Sequence, residues 1–475
     1  MTPPHSIRLA QAGLALAGLV AASSLHAQQA PPSGRLGALV DSVVKSAIMA
    51  KGAPSVSVLI TRGDETLLQH ALGLADVAHD RAADASTRYG LGSVTKQFTA
   101  ALILKQFERG RLSLGDSLGK HLANVPAAWR AITIEQLLNH TSGLAPDFRD
   151  PDRRTETYTP DTILAMAKRE PMAAAPGARW IYSNTGYAVL GVLVEKLYGK
   201  PYAAVLRDEI TRPLGLTTLG ICENRGVAPE ATGYQRAPDG TSTPSVPTHP
   251  SQMLGMGNIC ATTRDVEKWN RALHGGRVLS AASYAAMTTP RGAVAAAQSY
   301  GFGLVVRAAP WGGTVVTHGG EASGFTAENA WYPDDSLSVT VLYNGHPRVP
   351  SFGGVDLLAA LALGRTPPAP PKPTPVAAIG TPATSIVGEE AQRRFVGDYE
   401  AAPGAVYKIT FQDGSFFVTP PRGTPLPLVH ESGATYAVGR AGAPTTTTFL
   451  VDAGGEVVGM LTRQNGAERS LRKVK

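Results

Sequence analysis

The chain has 475 residues, 43% hydrophobic and 17% charged, with a formal net charge of +7. This suits a soluble protein with at least one large core. The basic excess is mild and unclustered, apart from Arg469, Arg472, Lys473 and Lys475 near the C-terminus, and it argues against a nucleic-acid partner.

Residues 1–27 have the pattern of a secretory signal: a cation at Arg8, an apolar run from Leu9 through Val20, and small residues up to Ala27. The run is short for a transmembrane span, no lipobox cysteine follows it, and no later stretch is long and apolar enough to cross a bilayer. The mature chain is therefore expected in the periplasm or outside the cell, with no stable membrane anchor. After a short leader, residues 36–49 read as an amphipathic helix. Residues 55–61 and 66–74 read as two strands about a Gly63-Asp64 turn. Residues 90–290 read as mainly helical with long loops, and Thr133 to Gln136 has the spacing of a capping box. Strands return at 301–306, 313–317, 325–332 and 337–343, the last two joined by Pro333-Asp334-Asp335-Ser336, before a helix at 354–363.

Strands at both ends with helices between them give an α+β fold: one antiparallel sheet flanked by helices, with a helical subdomain as the other wall of a cleft. Residues 34–365 form this expected unit. A proline-rich linker covers 366–387, where Pro367, Pro368, Pro370, Pro371, Pro373 and Pro375 enforce extended backbone. Residues 388–475 alternate apolar and polar side chains and read as a small all-β barrel or sandwich with no catalytic signature.

Three short motifs carry the chemistry. The pattern S-x-x-K occurs four times, at Ser42/Lys45, Ser93/Lys96, Ser117/Lys120 and Ser470/Lys473. Only Ser93 follows a glycine-flanked turn, Tyr89-Gly90-Leu91-Gly92, and opens a long apolar helix over 94–109 closed by Gly110. A serine hydroxyl needs a base to become a nucleophile. Lys96 lies one turn away on the same face, and burial in so apolar a helix lowers an ammonium pKa toward the range of a base. The second motif, Tyr182-Ser183-Asn184, reads as a loop running into a helix start. The bland reading is a buried tyrosine with Asn184 as the cap. The functional one places the phenol beside Lys96 and Ser93 and gives Asn184 a substrate amide to hold. The third, His318-Gly319-Gly320, follows the β-branched run Thr314-Val315-Val316-Thr317. Its glycines let a substrate backbone approach closely. A second H-G-G, at His274, reads as a helix C-cap.

With Leu137-Leu138-Asn139-His140-Thr141-Ser142-Gly143-Leu144 and Cys260-Ala261-Thr262-Thr263-Arg264-Asp265, these motifs make the chain resemble the β-lactamase-related serine hydrolases. That group comprises class C β-lactamases, DD-peptidases, D-aminopeptidases and family VIII esterases. The resemblance covers residues 35–365 and implies an acyl-enzyme mechanism without cofactor or metal. Ser93 would be the nucleophile and Lys96 and Tyr182 the proton-transfer pair. Asn184, His318, Gly319 and Gly320 would bind substrate, and the backbone N–H groups of Ser93 and Glu321 would form the oxyanion hole. His318 departs from the lysine that typical β-lactamases and DD-peptidases carry, and it resembles the H-x-G of the D-aminopeptidase-like branch. Its charge near neutral pH is conditional. The two cysteines, Cys222 and Cys260, border the helical subdomain by this resemblance. In an exported chain such a pair invites a disulfide, worth roughly 3–4 kcal/mol, and the alternative is two buried thiols. No C-x-x-C or histidine cluster suggests a metal.

The leading reading is a hydrolase of small or peptide amides or esters, with a peptidase favoured over a carboxylesterase or a weak β-lactamase. The rival is a penicillin-binding sensor that acylates without turnover. The sequence leaves the oligomeric state open.

Overall fold

The computed structural model describes residues 33–222, 230–236, 241–292, 299–345, 354–366, 381–382, 393–401, 406–412, 414–420, 425–439, 445–464 and 467–474. The expected signal segment at 1–27 and most of the expected proline-rich linker lie outside them.

A seven-stranded antiparallel sheet forms the centre of the larger unit. Its spatial order is Arg81–Ala82, Glu65–Asp76, Ser55–Arg62, Leu337–Tyr343, Phe325–Tyr332, Thr314–Ala322 and Val305–Ala308. The early hairpin thus joins the late strands directly, with Val56 opposite Tyr343. Successive side chains point to opposite faces, so one strand serves two cores. Along Leu337–Tyr343, residues Val339 and Val341 pack under the helices Ser33–Ala47 and Gly354–Ala362, with Leu36, Val40 and Leu358. Leu342 and Ala327 face the other way, towards Phe98 and Trp269 of the helices Thr95–Glu108 and Thr263–His274. Phe98 and Trp269 stack at 4.2 Å.

Between the two groups of sheet strands lies the helical region. The expected capping box is present: Thr133 Oγ1 accepts from the Gln136 N–H at 3.1 Å, and Gln136 Oε1 accepts from the Thr133 N–H at 2.9 Å. The region is not purely helical. Tyr89–Gly90, Ile259–Ala261 and Gly220–Ile221 form a small sheet, and a disulfide between Cys222 and Cys260 ties two of these strands together.

Two local expectations differ from the structure. The strand expected over 301–306 begins only at Val305 and runs to Ala308. Before it the chain turns at Gly303, whose φ is 70°, and a side chain at Gly301 would lie 2.2 Å from the Met287 carbonyl. Tertiary packing overrides the local β pattern there. Thr381–Pro382, assigned to the linker by composition, pairs as a short edge strand with Leu450 and Val451. Edge strands are where proline is tolerated.

The C-terminal strands Gly397–Glu400, Val406–Gln412, Ser415–Thr419, Leu426–Ser432, Thr435–Val438, Thr445–Val451, Val457–Gln464 and Ala467–Lys473 pair in sequence order. The last closes the ring against the first, with Tyr399 opposite Lys473. Closure removes the open edges that invite aggregation. Phe395, Phe416, Tyr436, Phe449, Met460 and Leu471 fill the interior, with Phe395 and Phe449 stacked at 4.2 Å.

The disulfide closes a separation of 38 residues. Replacing both Cys222 and Cys260 by serine should lower unfolding free energy by roughly 3–4 kcal/mol in the chain-entropy account, measured by denaturant titration. A change under about 1 kcal/mol would show that the loop is already constrained without it.

Candidate active site

Helix Thr95–Glu108 is preceded by a single 3-10 turn, Gly92–Val94, that carries Ser93. From Tyr89 to Leu104 every residue except Ser93 is buried. The helix cannot turn an apolar face to water, so the serine is the one group of this segment presented to the cleft. Gly110, with φ 67°, ends the helix as expected.

Lys96 is fully buried. Its Nζ lies 3.0 Å from Ser93 Oγ, 2.9 Å from Asn184 Oδ1 and 3.0 Å from the Met256 carbonyl. Burial drives its pKa well below that of an ordinary lysine, the Arg149 charge pushes the same way, and Asp147 opposes them. A neutral amine has two N–H bonds and one lone pair. The two carbonyl oxygens can only accept, so they take the two N–H bonds, and the lone pair faces the Ser93 hydroxyl. The amine is thus placed to remove the serine proton.

Asn184 is oriented from its other side. Its Nδ2 donates to Asp147 Oδ2 at 3.0 Å, which leaves Oδ1 for Lys96. Arg149 grips Asp147 through Nε at 2.8 Å and through its terminal nitrogen. Burial pushes the Asp147 carboxyl up, and the bonds from Arg149 and Asn184 more than reverse this, holding it below its usual range. The structure corrects one expectation here. The cap of helix Asn184–Tyr198 is Ser183, whose Oγ accepts from the Gly186 N–H at 2.9 Å. Asn184 is the first helical residue, which frees its side chain for Lys96.

Tyr182 belongs to the same cluster: Lys96 Nζ lies 4.8 Å from its ring centroid, and its ring packs 4.3 Å from that of His140. The strand carrying His318, Gly319 and Gly320 runs against the Ser93 turn. A side-chain carbon on Gly320 would fall 2.0 Å from the Leu91 carbonyl and 2.7 Å from the Ser93 nitrogen, and one on Gly92 would fall 2.4 Å from the Glu321 nitrogen. Glycine at 320 therefore admits the protein's own turn, where the sequence suggested a substrate backbone. The backbones at Ser93 and Glu321 lie side by side as a result. Gly319 pairs with Glu328 in the neighbouring strand.

His318 is buried, its Nε2 3.0 Å from the Tyr300 hydroxyl and its Nδ1 2.6 Å from the Gly319 carbonyl. A cavity of about 480 Å³ opens beside Asp147, Arg149, Arg154, Gln252 and Ser323. Ser93 does not line it.

The other three S-x-x-K pairs stand apart. Ser42 and Lys45 are both exposed on the first helix. Lys120 is held by Asp116 at 2.7 Å. Ser470 and Lys473 share a strand, where an odd spacing sends them to opposite faces. Among the described residues no group of three His, Cys, Asp or Glu side chains could hold a metal, and no helix is long and apolar enough to cross a membrane.

Comparison with known proteins places this arrangement. The β-lactamase sequence family matches residues 40–364. The chain belongs to the β-lactamase family. This β-lactamase-family protein is a serine hydrolase. It is 30% identical to a penicillin-binding protein of Bacillus subtilis strain 168, over 61% of this chain and 67% of that one. It is 27% identical to a D-aminopeptidase of Brucella canis, over 67% of this chain and 61% of that one. A D-stereospecific amidohydrolase from Streptomyces sp. superposes on 69% of this chain and 99% of its own, with a TM-score of 0.60 and 26% identity.

Asp147, Arg149, the Met256 carbonyl and Tyr300 were not singled out from sequence. Asp147 left a faint signal, a carboxylate three residues past the L-L-N-H-T-S-G-L stretch. The Met256 contribution is a backbone carbonyl and leaves none.

A base must be unprotonated, so activity resting on Lys96 is present above its pKa and lost as pH falls through it. Arg149→Met removes a like charge that lowers this pKa and loosens the hold on Asp147, which raises it. The acid limb of kcat/KM should therefore move to higher pH, and an unmoved or lower limb would contradict the geometry. Gly320→Ala should cut kcat/KM at least tenfold, because the new carbon meets Leu91 and Ser93 backbone rather than a flexible side chain.

Proposed function

We propose that the protein is an exported peptidase that cleaves an amide bond through an acyl-Ser93 intermediate. The observation that carries the reading is the buried Lys96 amine at 3.0 Å from Ser93 Oγ, with its remaining valences taken by Asn184 and Met256. Lys96 takes the serine proton as Ser93 attacks the scissile carbonyl. Tyr182, beside Lys96, gives its proton to the leaving amine and is reprotonated by the Lys96 ammonium, so both groups return to their starting state. The N–H groups of Ser93 and Glu321 receive the oxyanion, an assignment supported by the side-by-side run of their backbones. Water then attacks the acyl-enzyme with Lys96 again as base.

Amide cleavage of the peptidase type is favoured over β-lactam hydrolysis because the third motif starts with His318 and not with a fixed cation. The D-aminopeptidase and amidohydrolase relatives support the same branch. The cavity beside Asp147 and Arg149 would receive the part of the substrate away from the scissile bond. Export is supported by the residues 1–27 pattern and by the Cys222–Cys260 disulfide.

The test is a plate of the mature protein and its Ser93→Ala variant with D- and L-aminoacyl p-nitroanilides, p-nitrophenyl butyrate and nitrocefin. Anilide turnover should exceed nitrocefin turnover, and Ser93→Ala should lose at least about a thousandfold in kcat. Full activity in Ser93→Ala would refute the site. A stable acyl adduct at Ser93 without turnover would replace the peptidase with a penicillin-binding sensor.

A further inference from the structure

Between the second and third motifs runs a buried chain of hydrogen bonds that the acyl-transfer steps do not use. It starts at the Ser183 N–H, which donates to His140 Nδ1 at 3.0 Å. His140 Nε2 lies 3.1 Å from the Tyr300 hydroxyl, that hydroxyl lies 3.0 Å from His318 Nε2, and His318 Nδ1 lies 2.6 Å from the Gly319 carbonyl. His140, Tyr300 and His318 are all buried, and His140 holds a φ of 63°. Non-glycine residues rarely adopt that backbone conformation, and it persists only where surrounding contacts enforce it.

Backbone groups fix both ends of this chain, and the protons in between follow. An N–H can only donate, so Nδ1 of His140 is bare. Burial keeps His140 neutral, so its proton sits on Nε2 and points at Tyr300. At the far end a carbonyl can only accept, so Nδ1 of His318 carries a proton. Tyr300 already receives a bond from His140 and has one proton of its own to give. A neutral His318 has a bare Nε2 to take it. The opposite order needs a cationic His318 and a Tyr300 proton turned to the Tyr187 hydroxyl, which donates to the Leu138 carbonyl at 2.7 Å and keeps lone pairs to accept it. Burial of the imidazole, which penalises the cation, favours the first order.

We propose that His140 and Tyr300 are positioning residues that hold His318 as the neutral tautomer protonated at Nδ1. The third motif then presents no cation to the cleft, and its imidazole is locked against the ring of Tyr182, 6.2 Å away between centroids. The chain links the loop of the proton-relay tyrosine to the strand beside the oxyanion site, so both keep one geometry. This rests on the proposed roles of Tyr182 and His318 for its catalytic consequence, but not for its structural content.

The experiment is a long-range proton–nitrogen correlation spectrum of the full chain labelled with 15N-histidine at pH 7, with His318→Gln used to assign the His318 signals. His318 should show a protonated Nδ1 and a bare Nε2. A second arm uses Tyr300→Phe, which keeps the ring and removes the hydroxyl. Nδ1 should stay protonated against the Gly319 carbonyl, and the Nε2 signal should lose the shift of a hydrogen-bonded acceptor. His318 should turn to imidazolium at higher pH than in the unaltered protein, and kcat/KM should fall about tenfold, the weight of one hydrogen bond. An imidazolium or an Nε2-protonated ring in the unaltered protein would overturn the proposal, as would an unchanged Nε2 signal and an unchanged His318 titration in a folded Tyr300→Phe. The first arm needs no turnover. If Ser93→Ala keeps full activity while His318 shows the expected tautomer, the peptidase reading fails and the hydrogen-bond chain stands.

Discussion

A primary amine without water is the constraint around which the catalytic half of this protein is arranged. Removing Lys96 from solvent penalises its charged form, and the three oxygens around it are few enough to suit a neutral amine. Each oxygen comes from a different part of the chain. Ser93 is one helical turn away, Asn184 opens another helix, and Met256 lies in the segment that leads into the disulfide-tied strand Ile259–Ala261. Full burial, with the Tyr187 ring centroid 5.5 Å away, shields the amine from solvent. The Asp147–Arg149 pair stands behind Asn184 and fixes which end of its amide the lysine meets.

Close backbone packing does for the proposed oxyanion side what burial does for the proposed base. Gly92 and Gly320 come from segments far apart in sequence, and each sits where any side chain would strike the other segment's backbone. The turn holding Ser93 is therefore seated on the third-motif strand with almost no slack. Hydrogen bonds through His140, Tyr300 and His318 then fasten that strand to the second motif. The three motifs form one rigid constellation, as preorganised catalysis requires.

Much of this was legible from the residues. The choice of Ser93 over three other S-x-x-K serines followed from a glycine turn and an all-apolar helix, and the same features bury Lys96. The antiparallel sheet, the capping box at Thr133 and the disulfide left local or compositional signals. What the sequence hid falls into two kinds. Contributions of backbone, such as the Met256 carbonyl and the seat for Gly320, do not depend on side-chain identity. Lone side chains brought in by topology, such as Tyr300 and Arg149, belong to no motif and become visible only when distant segments meet. The misplaced strand start near Gly301 has the same origin, since a neighbouring carbonyl decided it, and a hydroxyl–backbone bond at Ser183 likewise set aside the bland reading of Asn184 as the cap.

The sheet also sets when the protein can become active. Asn344 accepts a hydrogen bond from the Ser55 N–H at 2.6 Å across 289 residues of sequence, and the strands on either side zip along the same seam. Such distant pairing makes folding slow relative to a chain of local contacts. It also means that the turn bearing Ser93 has no strand to seat on until residues 314–343 have docked. An incomplete or still-unfolded chain thus carries its serine and lysine as an ordinary alcohol and an ordinary ammonium. The reactive pair comes into being only with the closed sheet, so hydrolytic power is withheld from the polypeptide while it is being made.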